Sequence, residues 1–181
     1  VGLMTHDYET LPRQGYESPF TATGGGLAIV SARVAYTWDL RGPTMTIDTA
    51  CSSSLVAMDL AKGALRGGAA RAALVGGVNL ILGDSTTSGE MQAGMLSGDG
   101  RCKTFSKYAD GYGRSEGSGM LMVKLLGEAV RSGDAVYGVV RGSGVNQDGK
   151  TAVLTAPNGP SQEAVIRSAG EDCGGRGVRA G

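Results

Sequence analysis

The sequence predicts an α/β domain. A β-branched run, Thr44 to Ile47, leads through a turn of small residues into a segment with helical spacing. A second apolar run, Ala72 to Leu82, is broken only by Gly76, Gly77 and Asn79. The first pattern is a strand feeding a helix, and the second a strand covered on both faces. Glycine, at 32 residues, punctuates these runs without forming a low-complexity tract. That placement fits turns and strands whose backbones approach closely.

Val1 to Met4 reads as the end of a buried strand, followed by a polar loop, Thr5 to Thr23. The loop holds the only histidine, His6, which is either a partner brought to a catalytic thiol by the fold or an exposed loop residue. Gly24-Gly25-Gly26 opens a helix with Leu27, Val30, Val34 and Trp38 as its apolar stripe. This turn matches neither a Walker A nor a GxGxxG pattern, so close packing is expected of it rather than phosphate binding. Gly42-Pro43 ends that segment before the Thr44 to Ile47 strand.

Beyond the strand, Leu55, Met58, Ala61 and Leu65 recur three or four residues apart, with Asp59, Lys62 and Arg66 on another face. This is an amphipathic helix, ended by Gly67-Gly68. Ser52, Ser53 and Ser54 suit its cap and first turn, which puts Cys51 on the strand-to-helix turn. Further on, Ser85 to Met95 reads as a short helix, and Met120 to Leu126 and Val136 to Val145 as strands, the latter interrupted by glycines. Ser161 starts a last helix, Gln162 to Ala169, and the tail from Gly174 to Gly177 reads as frayed.

Composition excludes several function classes. Lys plus Arg and Asp plus Glu each number 17, so no net charge steers the chain toward nucleic acid or an anionic membrane. Cys51, Cys102 and Cys173 form no CxxC pair and no Cys/His metal spacing, which argues against a disulfide framework or a metal site and for a reducing, cytoplasmic compartment. The apolar runs are too short to span a bilayer. The chain opens Val1-Gly2-Leu3-Met4, without an initiator methionine or a signal-like segment, as an excerpt of a longer protein would.

The chemistry centres on Cys51. Unpaired N–H groups at a helix start favour an anion, the thiolate is the nucleophilic form of cysteine, and the same N–H groups can donate to an oxyanion. The competing reading is an inert thiol packed under the helix. Asp110 to Gly119 forms a second glycine-rich turn in which Glu116 is better placed to accept from backbone N–H groups than to act as an acid or base.

Asp48-Thr49-Ala50-Cys51-Ser52-Ser53-Ser54-Leu55 resembles the active-site signature of the β-ketoacyl synthases, in the form typical of type I polyketide synthases. Leu96 to Phe105 resembles the family's "LS-x-DGRCK-x-F" loop, and Asp110 to Gly119 its "ADGYGRGEG" turn, with Ser115 where glycine is usual. If that position needs a positive φ, Ser115 costs about 1 kcal/mol. Val145 to Gly149 and Leu154 to Gln162 resemble the polyketide version more than the discrete fatty-acid enzymes.

The resemblance implies a thiolase-like fold of layered αβαβα type. Residues 1–181 would supply the end of its N-terminal half and the start of its C-terminal half. It implies Cys51 as the acyl-accepting nucleophile, and Phe105, Thr155, Pro157 and Asn158 as substrate-binding residues. Substrates would arrive on the phosphopantetheine of an acyl carrier protein, with no cofactor or metal bound directly. A homodimer is implied, its interface beside the nucleophile strand. The family's two histidines belong to motifs outside these 181 residues, and His6 matches neither, so the 181 residues alone are not expected to condense thioesters.

Alternatives are a fatty-acid-type ketosynthase, a non-catalytic ketosynthase-like dimer subunit, and a thiolase or chalcone-type synthase, against which the Asn146 and Thr155 to Gln162 motifs argue. A cysteine peptidase lacks a His/Asn signature here.

Overall fold

The computed structural model describes residues 1–5, 7–10 and 18–174. His6 and the tail residues Gly175, Arg176 and Gly177 lie outside the described residues. In chain order the elements are α1 (Asp7–Thr10), α2 (Thr21–Gly25), α3 (Leu27–Thr37), α4 (Ser53–Arg66), β1 (Ala72–Asn79), α5 (Ser85–Gln92), β2 (Gly117–Lys124), α6 (Leu126–Ser132) and α7 (Gly159–Asp172). They fall into two compact units: Val1–Met58 with Leu74–Met122, and Asp59–Ala73 with Val123–Gly181.

The first unit is built on parallel backbone. Gly2 is bridged to Ile47 on one side and to Gly77 of β1 on the other. Leu3 N–H donates to Ile47 O at 3.0 Å, Gly2 N–H to Gly76 O at 2.7 Å and Val78 N–H to Gly2 O at 3.1 Å. β1 pairs in turn with β2. Glycine is required where the start of α4 rests on these strands. A Cβ on Gly2 would lie 2.7 Å from the Ser53 carbonyl carbon and 2.9 Å from Ser54 Cα, and one on Gly77 would lie 3.1 Å from Ser54 Cβ. Leu3, Ala57 and Val75 are buried.

The second unit is tied by charge. Lys62 Nζ reaches Asp172 Oδ2 at 2.8 Å and Asp59 Oδ1 at 2.9 Å, and Arg66 pairs with the other Asp172 oxygen. Ser143 completes the knot, its N–H donating to Asp172 at 3.0 Å and its hydroxyl to Asp59 at 2.7 Å. Leu65 and Ala129 are its buried apolar residues.

Several sequence expectations are corrected. Val136 to Val145 forms no strand. Gly142 and Gly144 lie against the last helix and its cap instead: a Cβ on Gly142 would come within 2.8 Å of Cys173 N, and one on Gly144 within 3.0 Å of Val165 O. Thr44 to Ile47 contributes an isolated bridge rather than a ladder. The Met120 to Leu126 run is split, because β2 ends at Lys124 and Leu126 opens α6.

The Thr5 to Thr23 stretch is not all loop, since α1 and the start of α2 lie in it. Gly26, at ψ 135, separates α2 from α3, so the glycine triplet joins two helices rather than opening one. The last helix starts at Gly159, not beyond Ser161, because Asn158 caps it by accepting from Ser161 N–H. On α4 the buried side is Ser53, Ala57 and Leu65, while Leu55 is 72% exposed. Ser115 carries no positive φ and hence no left-handed strain; among non-glycine residues described, Asp39, Ala50 and Phe105 do.

Candidate active site

Cys51 lies two residues before α4 and is exposed. The turn presenting it is wound by its own small polar side chains. Asp48 Oδ1 accepts from Ala50 N–H at 2.9 Å. Ser53 Oγ accepts from Thr49 N–H at 2.9 Å and donates to Ala50 O at 2.6 Å. Ser52 Oγ donates to Thr49 O at 2.9 Å. Ser53 is buried, whereas Cys51 faces outward.

Ala50 sits at φ 53, in the left-handed region that a non-glycine residue occupies only when its surroundings force it. Here the forcing groups are the Asp48 carboxylate and the Ser53 hydroxyl on either side. The reversal turns Cys51 out of the strand direction and sets it at the start of α4, where N–H groups lack intrahelical partners. An open cavity of about 420 Å³ lies between α3 and the Thr44–Asp48 stretch, touching Ser31, Met45 and Asp48 but not Cys51.

Phe105 is in the same unit as Cys51, with its ring fully exposed and its backbone at φ 60. It follows a loop knotted by Lys103, whose ammonium reaches Asp99 at 3.1 Å and Asp110 at 2.5 Å. The Ser97 hydroxyl and Lys103 hold Asp99 down to about 2. Glu116 Oε1 accepts from Ile81 N–H at 2.7 Å, the backbone-bonding role expected of it.

Thr155, Pro157 and Asn158 lie in the second unit, Thr155 and Pro157 exposed. The Asn158 amide is engaged at both ends, accepting from Ser161 N–H at 3.3 Å and donating to Asp148 O at 2.9 Å. Asn146 donates to Ser161 O at 2.7 Å, so the two motifs of this region hold each other.

Sequence reasoning missed Tyr112, Glu90 and Arg114. Tyr112 pairs with the end of the α5 region, its N–H donating to Met95 O at 3.1 Å and its carbonyl accepting from Ser97 N–H at 3.0 Å. Its phenol titrates above the usual tyrosine range because of partial burial, reinforced by the charges of Glu90 and Cys51. Glu90 pairs with Arg114 at 2.8 Å, with side chains only 14% and 9% exposed. The signal was present: Tyr112 and Arg114 are two apart in an extended glycine-rich turn, which sends both side chains to one face.

Residues 1–129 match the family model described as beta-ketoacyl synthase, N-terminal domain, and residues 137–177 the one described as beta-ketoacyl synthase, C-terminal domain. The chain belongs to the β-ketoacyl synthase family. It is 53% identical to polyketide synthase GfsB of Streptomyces halstedii over 93% of this chain and 3% of that protein. It is 47% identical to the polyketide synthase component of compactin nonaketide synthase from Penicillium citrinum, over 93% of this chain and 6% of that one.

Among solved structures, a ketosynthase from module 6 of the bacillaene synthase of Bacillus subtilis superposes with a TM-score of 0.87 at 42% identity, covering 96% of this chain and 29% of that one. The oxazolomycin ketosynthase domain of Streptomyces albus gives 0.86 at 38%, covering 96% and 31%. The fold is therefore that of the ketosynthases, the thiolase-like α/β class. The chain spans less than a tenth of the length of these curated relatives and about a third of these solved ketosynthases. Among the described residues, no helix is long and apolar enough to cross a membrane, and no group of three or more His, Cys, Asp or Glu could hold a metal ion.

Proposed function

We propose that Cys51 is the acyl acceptor of a polyketide synthase ketosynthase, and that it forms carbon–carbon bonds by decarboxylative condensation. The observation that carries this reading is the exposed thiol on a left-handed turn at the start of α4. In the first stage the Cys51 thiolate attacks an acyl thioester carried on phosphopantetheine. A new carbon–sulfur bond forms and the carrier thiolate leaves. Backbone N–H groups at the start of α4 are proposed to donate to the oxyanion of that step. In the second stage a malonyl-type thioester on an acyl carrier protein loses carbon dioxide. Its enolate carbon attacks the Cys51 acyl carbonyl, and the Cys51 sulfur departs as the β-ketoacyl thioester forms.

Phe105, Thr155 and Pro157 are proposed to border the substrate, with Asn158 holding the loop that carries the last two. The 181 residues are read as the end of the N-terminal half and the start of the C-terminal half of the domain, working as a homodimer with an acyl carrier protein in a reducing, cytoplasmic compartment. Enolate formation needs an electrophilic group that these residues do not supply, since His6 is their only histidine. The 181 residues alone are accordingly expected to be inactive in condensation.

The test is acyl loading of the full-length polypeptide from a soluble acyl thioester, followed by mass spectrometry of the Cys51 peptide. The wild type should gain one acyl mass there, and Cys51→Ala should lose both that adduct and the condensation product. Acylation elsewhere, or condensation surviving in Cys51→Ala, would overturn the reading.

A further inference from the structure

Ala50 takes the left-handed conformation of the Cys51 turn, φ 53, without the freedom that glycine would bring. Such a backbone persists only where its neighbours over-determine it. Peptide groups are rigid planes, so the conformation of Ala50 is fixed once the planes before and after it are fixed.

The plane before Ala50 is held at both ends. Asp48 Oδ1 accepts from Ala50 N–H at 2.9 Å, and Ser52 Oγ donates to Thr49 O at 2.9 Å. The plane after it is the Ala50–Cys51 peptide itself. Its oxygen accepts from Ser53 Oγ at 2.6 Å and from Ser53 N–H at 3.1 Å. The same hydroxyl accepts from Thr49 N–H at 2.9 Å, so one oxygen spans the turn as both donor and acceptor.

Ser53 is buried, and its main chain is backed by Gly2, where a Cβ would lie 2.7 Å from the Ser53 carbonyl carbon. A capping serine accepts from N–H groups inside the helix it starts. Ser53 instead bonds backward to Thr49 and Ala50, both ahead of α4. Its bond to Ala50 O fixes the peptide that carries the Cys51 nitrogen, and with it the direction in which the Cys51 side chain leaves the backbone.

We propose that Ser53 is a positioning residue for Cys51, with Asp48 as its counterpart on the other side of Ala50: together they hold the left-handed turn that aims the thiolate at a thioester carbonyl. Both act through the backbone of Ala50. The inference deepens the reading of Cys51 as the acyl acceptor and rests on it.

The experiment is acyl loading of the full-length polypeptide from the butyryl thioester of N-acetylcysteamine, followed by mass spectrometry of the Cys51 peptide. The Cys51 sulfur bonds to the carbonyl carbon, the N-acetylcysteamine sulfur leaves, and the proton lost from Cys51 ends on the leaving thiol. Ser53→Ala should lower the maximal loading rate about tenfold, the scale of one strained residue released. The half-saturating thioester concentration should stay within about twofold of wild type, because the aim of the sulfur changes and not the binding of the thioester. Asp48→Ala should act in the same direction. Glycine takes the left-handed conformation without alanine's penalty, so adding Ala50→Gly to either variant should restore loading to within about threefold of wild type.

Wild-type loading in folded Ser53→Ala, even with lowered thermal stability, would overturn the proposal and leave Ser53 a brace for α4. A loss that Ala50→Gly does not restore would overturn it as well, since the defect would then lie outside the Ala50 conformation. If Ser53→Ala fails to fold, the exposed Asp48→Ala and its Ala50→Gly double variant decide by the same two outcomes. A wild type that takes no acyl group on Cys51 would instead sink the nucleophile reading, and this inference with it.

Discussion

The surroundings of Cys51 and those of Asp172 solve the same problem, holding α4, by opposite means. Near Cys51, main chain packs on main chain: Gly2 and Gly77 let the first turn of α4 settle on the strands, and the turn residues bond their own backbone. Near Asp172, long charged side chains do the work, with Lys62, Arg66 and Ser143 converging on one carboxylate. Backbone contact fixes position to a few tenths of an ångström and tolerates little change in volume. Ion pairs tolerate displacement, but they depend on pH and salt.

The sharpest way to break the comparison is to add a methyl group at the backbone contact. Gly2→Ala should lower stability by about 3 kcal/mol, because the atoms it meets are backbone and must move. Gly77→Ala meets the Ser54 side chain at 3.1 Å and Gly2 O only at ordinary contact distance, and should cost about 1 kcal/mol. Thermal unfolding should rank Gly2→Ala below Gly77→Ala, and Cys51 acylation should fall in the same order. Equal effects would mean that α4 is not seated by the close approach of Gly2.

The second test moves to the charged knot. Lys62, Arg66 and the Ser143 N–H hold Asp172 well below the usual carboxylate range. Since the folded state favours the ionised form, the stabilisation is fully present above the unfolded value of about 3.9 and is lost as pH falls through the folded value. Wild-type stability should therefore be flat near neutrality from this source and drop in acid. Asp172→Asn should be less stable at neutral pH and should lose that part of the acid dependence, as read from urea midpoints between pH 2 and 7. An acid limb unchanged in Asp172→Asn would assign it to other carboxylates.

The smallest effect is expected at Phe105. Its ring is fully exposed and its backbone left-handed, so Phe105→Gly should change stability by no more than about 0.5 kcal/mol. If Phe105 borders the acyl chain, the same variant should alter which acyl lengths load onto Cys51. Unchanged loading across lengths would remove Phe105 from the site.

Local pattern carried the sequence reading far where the relevant forces are local. The turn that carries Cys51, the helix beyond it and the Ala72 strand followed from residue spacing and from the preferences of serine and glycine, whereas Thr44 to Ile47 forms only an isolated bridge. Val136 to Val145 failed because β-branched residues make a strand only when a partner offers its ladder, and Gly142 and Gly144 sit against the last helix instead. Leu55 failed because helical spacing reports a stripe without reporting which neighbour arrives to cover it.

By itself, then, the sequence determined the family, the α/β class and the cysteine on which the proposed chemistry turns, since each is written in contiguous residues whose physics is short-ranged. Tertiary structure alone decided that Gly2 is the seat of α4 and that Glu90 and Arg114 meet in an enclosed ion pair. Those facts depend on residues dozens of positions apart meeting in space, and the spacing of side chains along one element contains no record of that meeting.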